Sequence, residues 1–232
     1  MALYTLADPH LSFGTDKPMD IFGGAWHGYV SALRENLSVL REGDTLVIPG
    51  DLSWGINLEQ AEPDFRFLAS FPGRKILVKG NHDLWWSTVT KMRGFLEEKG
   101  LKNFEFLHNN CFFFEGIALC GTRGWFFEEE KGEAHDAKIL NRELSRLRAS
   151  LEAAKRSGAG RIFCFMHYPP VFGSYVCEPV CALLQRYGVE RLYYGHLHAH
   201  SHRHAFTGLR GGVHYTLVSA DYLKFAPLRI EL

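Results

Sequence analysis

The chain has 232 residues, long enough to bury a substantial core within one domain. Hydrophobic residues make up 46% of it and aromatics 14%, which excludes a disordered polymer. Its 26 basic side chains are balanced by 26 acidic ones, so no general positive excess exists to neutralise a nucleic-acid backbone, and nucleic acid is not an expected partner.

Read in chain order, apolar β-rich runs alternate with helical patterns, the signature of a layered α/β fold. Strands are predicted over Leu3–Ala7, Thr45–Ile48, Lys75–Val78, Gly116–Cys120, Arg161–Met166, Arg191–Tyr194 and His214–Ser219. Helices are predicted over Trp26–Arg41, Leu58–Ala69, Trp85–Lys99, His135–Arg156 and Glu178–Tyr187. In the charged stretch from Glu128 to Arg156, Leu140, Leu144, Leu147 and Leu151 fall at helical spacing, predicting a surface helix with one buried stripe. Its acidic start, EEEKGE, reads as solvated helix entry. The late runs Ala205–Phe206, Tyr215–Val218 and Leu228–Glu231 have no helix between them, which predicts an antiparallel portion and mixed sheets. Nothing divides the chain, so residues 1–232 are expected to form one domain.

The first ten residues lack a basic n-region and reach an Asp at position 8, and no apolar run approaches a membrane span. A soluble, cytoplasmic protein without a membrane partner is the expectation. Five cysteines, an odd number, read as free thiols. Cys177 and Cys181 have the spacing of half a metal site, but buried small apolar side chains are the simpler reading.

Five polar clusters each follow directly on an apolar strand: Asp8-Pro9-His10, Gly50-Asp51, Gly80-Asn81-His82-Asp83, His167, and Gly195-His196-Leu197-His198. The carboxyl ends of strands in open α/β sheets are where distant residues meet. Each cluster alone is commonplace; five in succession, all carrying ligand-type side chains, point to one metal site. Carboxylate and amide oxygens with imidazole nitrogens, and no thiolate, suit manganese, iron or zinc. The glycines before Asp51, Asn81 and His196 permit tight turns where the strands end.

The ordered pattern D-x-H, G-D, G-N-H-D, a lone H and G-H-x-H resembles that of the calcineurin-like metallophosphoesterases, with the matching residues spanning 8 to 198. The resemblance implies a four-layer α-β-β-α sandwich with mixed sheets. It also implies two divalent ions, with Asp8, His10 and His198 on the first, Asn81, His167 and His196 on the second, and Asp51 bridging. His82 would then stand beside the leaving group, with Asp83 orienting an imidazole behind it. The implied activity is hydrolysis of a small phosphomonoester or phosphodiester, a nucleotide among the options, by a metal-bridging hydroxide.

Two other activities of the same superfamily, protein phosphatase and nuclease, fit less well: Gly50-Asp51 continues as LSWG, and the charge is balanced. A non-catalytic scaffold fits least, because all seven ligand positions and His82 are filled. Arg123, in CGTRGW after a strand, is a candidate to fork onto a phosphate oxygen. Trp54, Trp86 and Tyr168 are candidate pocket walls, and the long segment Gly14–Trp26 is expected to cover the site. His200, His202 and His204 continue the alternation of His196 and His198, which on an extended strand would put them on the same face but progressively farther away, so at most one more is expected to approach the site and the others to face solvent or the core. Oligomeric state leaves no signal in the sequence.

Overall fold

The computed structural model describes residues 1–125 and 133–232; the acidic start of the charged segment, from Glu128, lies largely outside these residues. The elements run β1 (Leu3–Thr5), α1 (Tyr29–Leu37), β2 (Thr45–Pro49), α2 (Leu58–Ala69), β3 (Arg74–Val78), α3 (Val89–Glu98), β4 (Phe104–Phe106), β5 (Phe112–Phe114) and β6 (Ile117–Thr122). They continue with α4 (Glu133–Arg156), β7 (Arg161–Met166), β8 (Val171–Phe172), β9 (Tyr175–Val176), α5 (Glu178–Arg186), β10 (Val189–Tyr194), β11 (Gly208–Arg210), β12 (Val213–Leu217) and β13 (Leu228–Ile230).

Two mixed sheets form, in the orders β13-β1-β2-β3-β4 and β11-β12-β10-β7-β6-β5, with β8 and β9 as a small separate hairpin. Alternation along each strand explains why they stack. In β2, Leu46 and Ile48 join the cluster packed under α1, α2 and α3, while Val47 turns to the space between the sheets. In β7, Ile162, Cys164 and Met166 meet α4 and α5, while Phe163 and Phe165 enter the inter-sheet core. Both central strands are therefore apolar on both faces, as buried parallel strands must be. The result is an α-β-β-α sandwich with three hydrophobic clusters, one beneath each helical layer and one between the sheets.

Helix entry follows local chemistry. Asn57 caps α2 by accepting from the Gln60 amide at 2.9 Å, and Thr88 caps α3 from the Lys91 amide. The helix predicted from Trp85 therefore begins later, at Val89, and the one predicted from Trp26 begins at Tyr29, after Gly28 in the left-handed region. In α4, Leu147 and Leu151 are buried and Leu140 and Leu144 partly so, forming the expected stripe.

Strands β1, β2 and β3 run parallel in one sheet, and β6, β7, β10 and β12 in the other. The antiparallel portion expected of the late strands consists of β11 against β12 and β13 against β1, and β5 also runs antiparallel to β6. The two sheets are stitched at one corner: the Ala7 amide donates to Val218 O at 2.8 Å, and the Ala220 amide to Ala7 O at 2.9 Å. Among the described residues no helix is long and apolar enough to cross a membrane. All five cysteines are free, and Cys177 and Cys181 are buried in the cluster beneath α5.

Candidate metal centre

Asp8 follows β1, Asp51 follows β2, Asn81 follows β3, His167 follows β7 and His196 follows β10, so the stitched corner gathers side chains from both sheets. Getting them there requires unusual backbone. Asp8, His10, Asp51 and His196 all have positive φ, between 45° and 71°, a region costly for residues with a Cβ. Two glycines leave the room. A Cβ on Gly80 would lie 2.1 Å from Asp51 Oδ1, and one on Gly195 would lie 2.5 Å from Asp8 Oδ2.

The donors converge in two groups. His10 Nε2 and His198 Nε2 are 3.3 Å apart, close to the buried Asp8 carboxylate. Beside them, Asn81 Oδ1 lies 2.6 Å from His167 Nε2 and 3.0 Å from His196 Nδ1, and the two imidazole nitrogens are 3.2 Å apart. Asp51 Oδ2 sits between the groups, 3.7 Å from His10 Nε2 and 3.5 Å from His167 Nε2.

These contacts fit divalent metal ions, on grounds of donor chemistry. His167 Nδ1 lies 3.2 Å from the Pro49 carbonyl, which assigns the ring proton to Nδ1 and leaves a lone pair on Nε2. That lone pair faces the Asn81 oxygen, another acceptor, so a cation is the natural partner of both. Asp8 Oδ1 is buried without a hydrogen-bond partner. Adjacent ligands on an ion with bonds of about 2.1 Å lie roughly 3.0–3.4 Å apart, close to most of the separations found. Mutually close carboxylates and imidazoles form one group within the first set, Asp8 with His10 and His198, and one that spans the two sets, Asp8 with Asp51 and His167.

The electrostatics agree. Burial pushes the Asp8 carboxyl up to about 7, against the pull of His198, and raises Asp51 well above the usual carboxylate range, with Asp83 and Asp8 adding to the effect. Burial lowers His10 and His167 well below the ordinary imidazole value and brings His196 down to about 3. Without cations, the buried site disfavours charge on most of these donors. Divalent cations reverse that preference by stabilising carboxylate and neutral imidazole together.

One supporting residue escaped sequence reading. Asp221 follows β12, and its Oδ1 lies 2.9 Å from His198 Nδ1 while Oδ2 accepts from the Ala199 amide at 3.0 Å. The ring proton is thereby fixed on Nδ1, leaving Nε2 of His198 to face the cluster. Burial opposes charge on this pair, but their mutual contact prevails, raising His198 and lowering Asp221. The available signal was an acid just beyond the end of a strand, outside any short motif.

The remaining predicted residues divide. His82 is half-buried, its amide donates to Asp51 Oδ1 at 2.8 Å, and its ring lies 5.7 Å from that of His10. Burial, with the positive charges of Lys17 and His198 adding to it, pushes it down to about 4. Asp83 does not orient an imidazole. Its buried carboxylate accepts from the amides of Gly80, Asp51 and Leu52 at 2.7–3.0 Å and from Trp85 Nε1 at 3.0 Å. It therefore pins the loops that carry Asp51 and Asn81; adjacent residues point apart, which separates its direction from that of His82. Arg123 is engaged elsewhere, 3.7 Å from the buried Glu143 of α4 and over the Trp125 ring.

Trp54 stacks on His10 at 5.1 Å, and Tyr168 lies 4.4 Å from the His196 ring, so both wall the centre. Trp86 packs on Phe106 in the core. From the 14–26 segment, buried Trp26 reaches within 6 Å of the His10 and His198 rings. Residues 199–204 wind into a 3-10 turn rather than a strand, so the expected common face is lost. His200 and His204 are exposed, while His202 Nε2 comes 3.3 Å from Asp221 Oδ2.

Comparison with known proteins bears on the fold and the family. The phosphopantetheinyl hydrolase PptH from Mycobacterium tuberculosis is similar in fold, with a TM-score of 0.57 at 13% identity, over 99% of this chain and 95% of that one. A protein of unknown function, AQ665 from Aquifex aeolicus, matches over 98% of this chain and 95% of its own at 16% identity, with a TM-score of 0.49. No curated protein sequence matches. The family model of calcineurin-like phosphoesterases matches residues 1–200, and the chain belongs to that family.

Proposed function

We propose that the protein is a dinuclear metal-dependent phosphoesterase that hydrolyses a phosphomonoester or phosphodiester of a small molecule. The observation that carries this reading is the position of Asp51 Oδ2, nearly equidistant from His10 and His167 and thus shared between two donor groups. Asp8, His10 and His198 would hold one cation, Asn81, His167 and His196 the other, with Asp51 bridging. Manganese, iron or zinc at these positions would acidify a shared water and neutralise phosphoryl charge.

The chain's own residues supply the rest. Asp83 holds the two strand-end loops in place through their amides, and Asp221 holds His198 in the tautomer that presents Nε2. His82 is the group placed to serve the departing oxygen. Burial, with Lys17 and His198 adding to it, holds its ring below the ordinary imidazole value, and the negative charge of a bound phosphoester would act in the opposite direction.

The test is hydrolysis of p-nitrophenyl phosphate and bis-p-nitrophenyl phosphate after stripping metal and restoring manganese. Turnover should return with the metal. Asp51→Asn should remove a thousandfold or more, as loss of a shared ligand disturbs both cations, and His82→Ala about a hundredfold with two ions still bound. The better ester distinguishes monoesterase from diesterase. A folded protein that binds two ions and turns over neither ester, whichever metal is restored, would overturn the proposal.

A further inference from the structure

Phe22 is an apolar ring with no core to fill: it ends a short 3-10 turn, Met19–Phe22, and is 48% exposed. Its plane is 7° from parallel to that of Trp54, with centroids 6.4 Å apart. The Lys17 ammonium lies over both rings, 4.3 Å from the Trp54 centroid and 5.7 Å from that of Phe22. The two near-parallel rings therefore share one cation, which has no salt bridge among the described residues. The pair adjoins the reacting side of the centre, because Trp54 also lies 4.3 Å from the His82 ring.

We propose that Trp54 and Phe22 form an aromatic pincer for the substrate's leaving group, so that the enzyme selects phosphoesters carrying a flat aromatic ring. The inference rests on the phosphoesterase reading above and adds a substrate class to it. A planar ring held between two others needs about 7 Å, twice the contact distance of roughly 3.5 Å between carbons. The centroid separation of 6.4 Å is the most the gap between the planes can be, so Phe22 has to swing outward to admit a ring. Phe22 is followed by Gly23 and Gly24, where an added Cβ would meet nothing within 4 Å, and Gly23 has φ +123°, so the joint behind Phe22 is unhindered. An incoming ring displaces the Lys17 ammonium, which is then free to approach the ester's negative charge. Every nucleobase and every aryl group offers the required face, and stacking of this kind tolerates variation in the ring.

The direct test measures binding without turnover. Phenylphosphonate and cyclohexylphosphonate have the same charge and nearly the same size, and neither has an ester bond to hydrolyse. By calorimetry on the manganese-loaded protein, the phenyl compound should bind about tenfold or more tightly, the range expected of one stacked ring. Phe22→Ala and Phe22→Leu should bring the ratio near one, whereas Phe22→Tyr should keep it. Phe22 is exposed, so these variants do not threaten the core. A ratio near one in the unsubstituted protein, or one that survives Phe22→Ala, would overturn the pincer. The source of the ring is then read from kcat/KM for adenosine 5′-monophosphate against ribose 5-phosphate. A preference for the nucleotide identifies a nucleobase, and equal values with the phenyl preference intact identify an aryl group. Failure to hydrolyse any ester would count against the phosphoesterase reading alone, since the phosphonate ratio is obtained without turnover.

Discussion

His167 and His198 each present one imidazole nitrogen to the cluster, but what stands behind each ring differs. His167 is fully buried at the end of β7, with Nδ1 on the Pro49 carbonyl and its ring so close to Gly50 that a Cβ there would sit 2.5 Å from it. His198 lies beyond the end of β10, its side chain 27% exposed, backed by Asp221 and by Trp26 from the long segment. One half of the centre is thus set by main-chain geometry, the other by side chains that can be changed without disturbing a strand. Damage to the first half should appear as damage to the fold, and damage to the second as selective loss of one ion.

The largest effect expected is that of Gly80→Ala, which strikes the shared part of the centre. Its Cβ would meet Asp51 Oδ1 and, at 2.2 Å, the Asp51 amide nitrogen, so backbone has to move. Overpacking of this kind costs about 1–3 kcal/mol or more. Thermal unfolding should fall accordingly, and metal analysis should find both ions depleted. Two ions retained at normal stability would mean that the loops bend more easily than their contacts imply.

Asp221→Asn tests the other half. The side chain keeps its shape but loses the charge that supports His198, and loss of such a partner weakens a metal by roughly 10- to 100-fold. A metal titration should become biphasic, with one ion weakened and the other unchanged. Equal weakening of both would show that the halves are not separable.

The smallest effect concerns the metal-free protein. His10, His167, His196 and His82 are lowered, so their contribution to stability is present above the unfolded value near 6.5 and is lost as pH falls. Asp8 and Asp51 are raised, so theirs is present at low pH and is lost as pH rises, through about 7 for Asp8. The two trends oppose each other until the unfolded imidazoles are fully neutral, about one pH unit above 6.5; beyond that only the carboxylate cost still grows. Between pH 7.5 and 8.5 the stripped protein should lose up to about 1 kcal/mol, and metal should abolish that slope. Denaturant melts at several pH values, with and without manganese, provide the check.

How legible this was in the sequence depended on whether the information was local. The central strands and their terminal clusters could be read because a double-faced apolar run followed by Asp, Asn or His is a pattern within ten residues. Phe104–Phe106 and Phe112–Phe114 were missed as strands because each is a three-residue run completed only by pairing with β3 or β6. Asp221 was missed because nothing near it marks it; its role comes from β12 lying beside β10. Of the alternating histidines, the expectation that at most one more would approach the site holds for His202, but the common strand face does not, since His196 and Ala199 turn into the left-handed region and the chain leaves the extended path. Asp83 was placed near the centre but given the wrong partners, because a sequence does not display which amides lack acceptors.

The stitch between Ala7 and the Val218–Ala220 segment has a consequence for how the protein comes to be made. Asp8 leaves the ribosome more than two hundred residues ahead of the amides and carbonyls that hold its neighbour and of the acid that steadies His198. The centre is therefore built from contacts of very high sequence separation, which close late. A nascent chain in which β1, β2 and β3 have already paired carries half a metal site, with Asp8 and Asp51 facing no sheet. Metal capture should accordingly wait until the chain has been made through Asp221, making the loaded centre a signature that both sheets have joined.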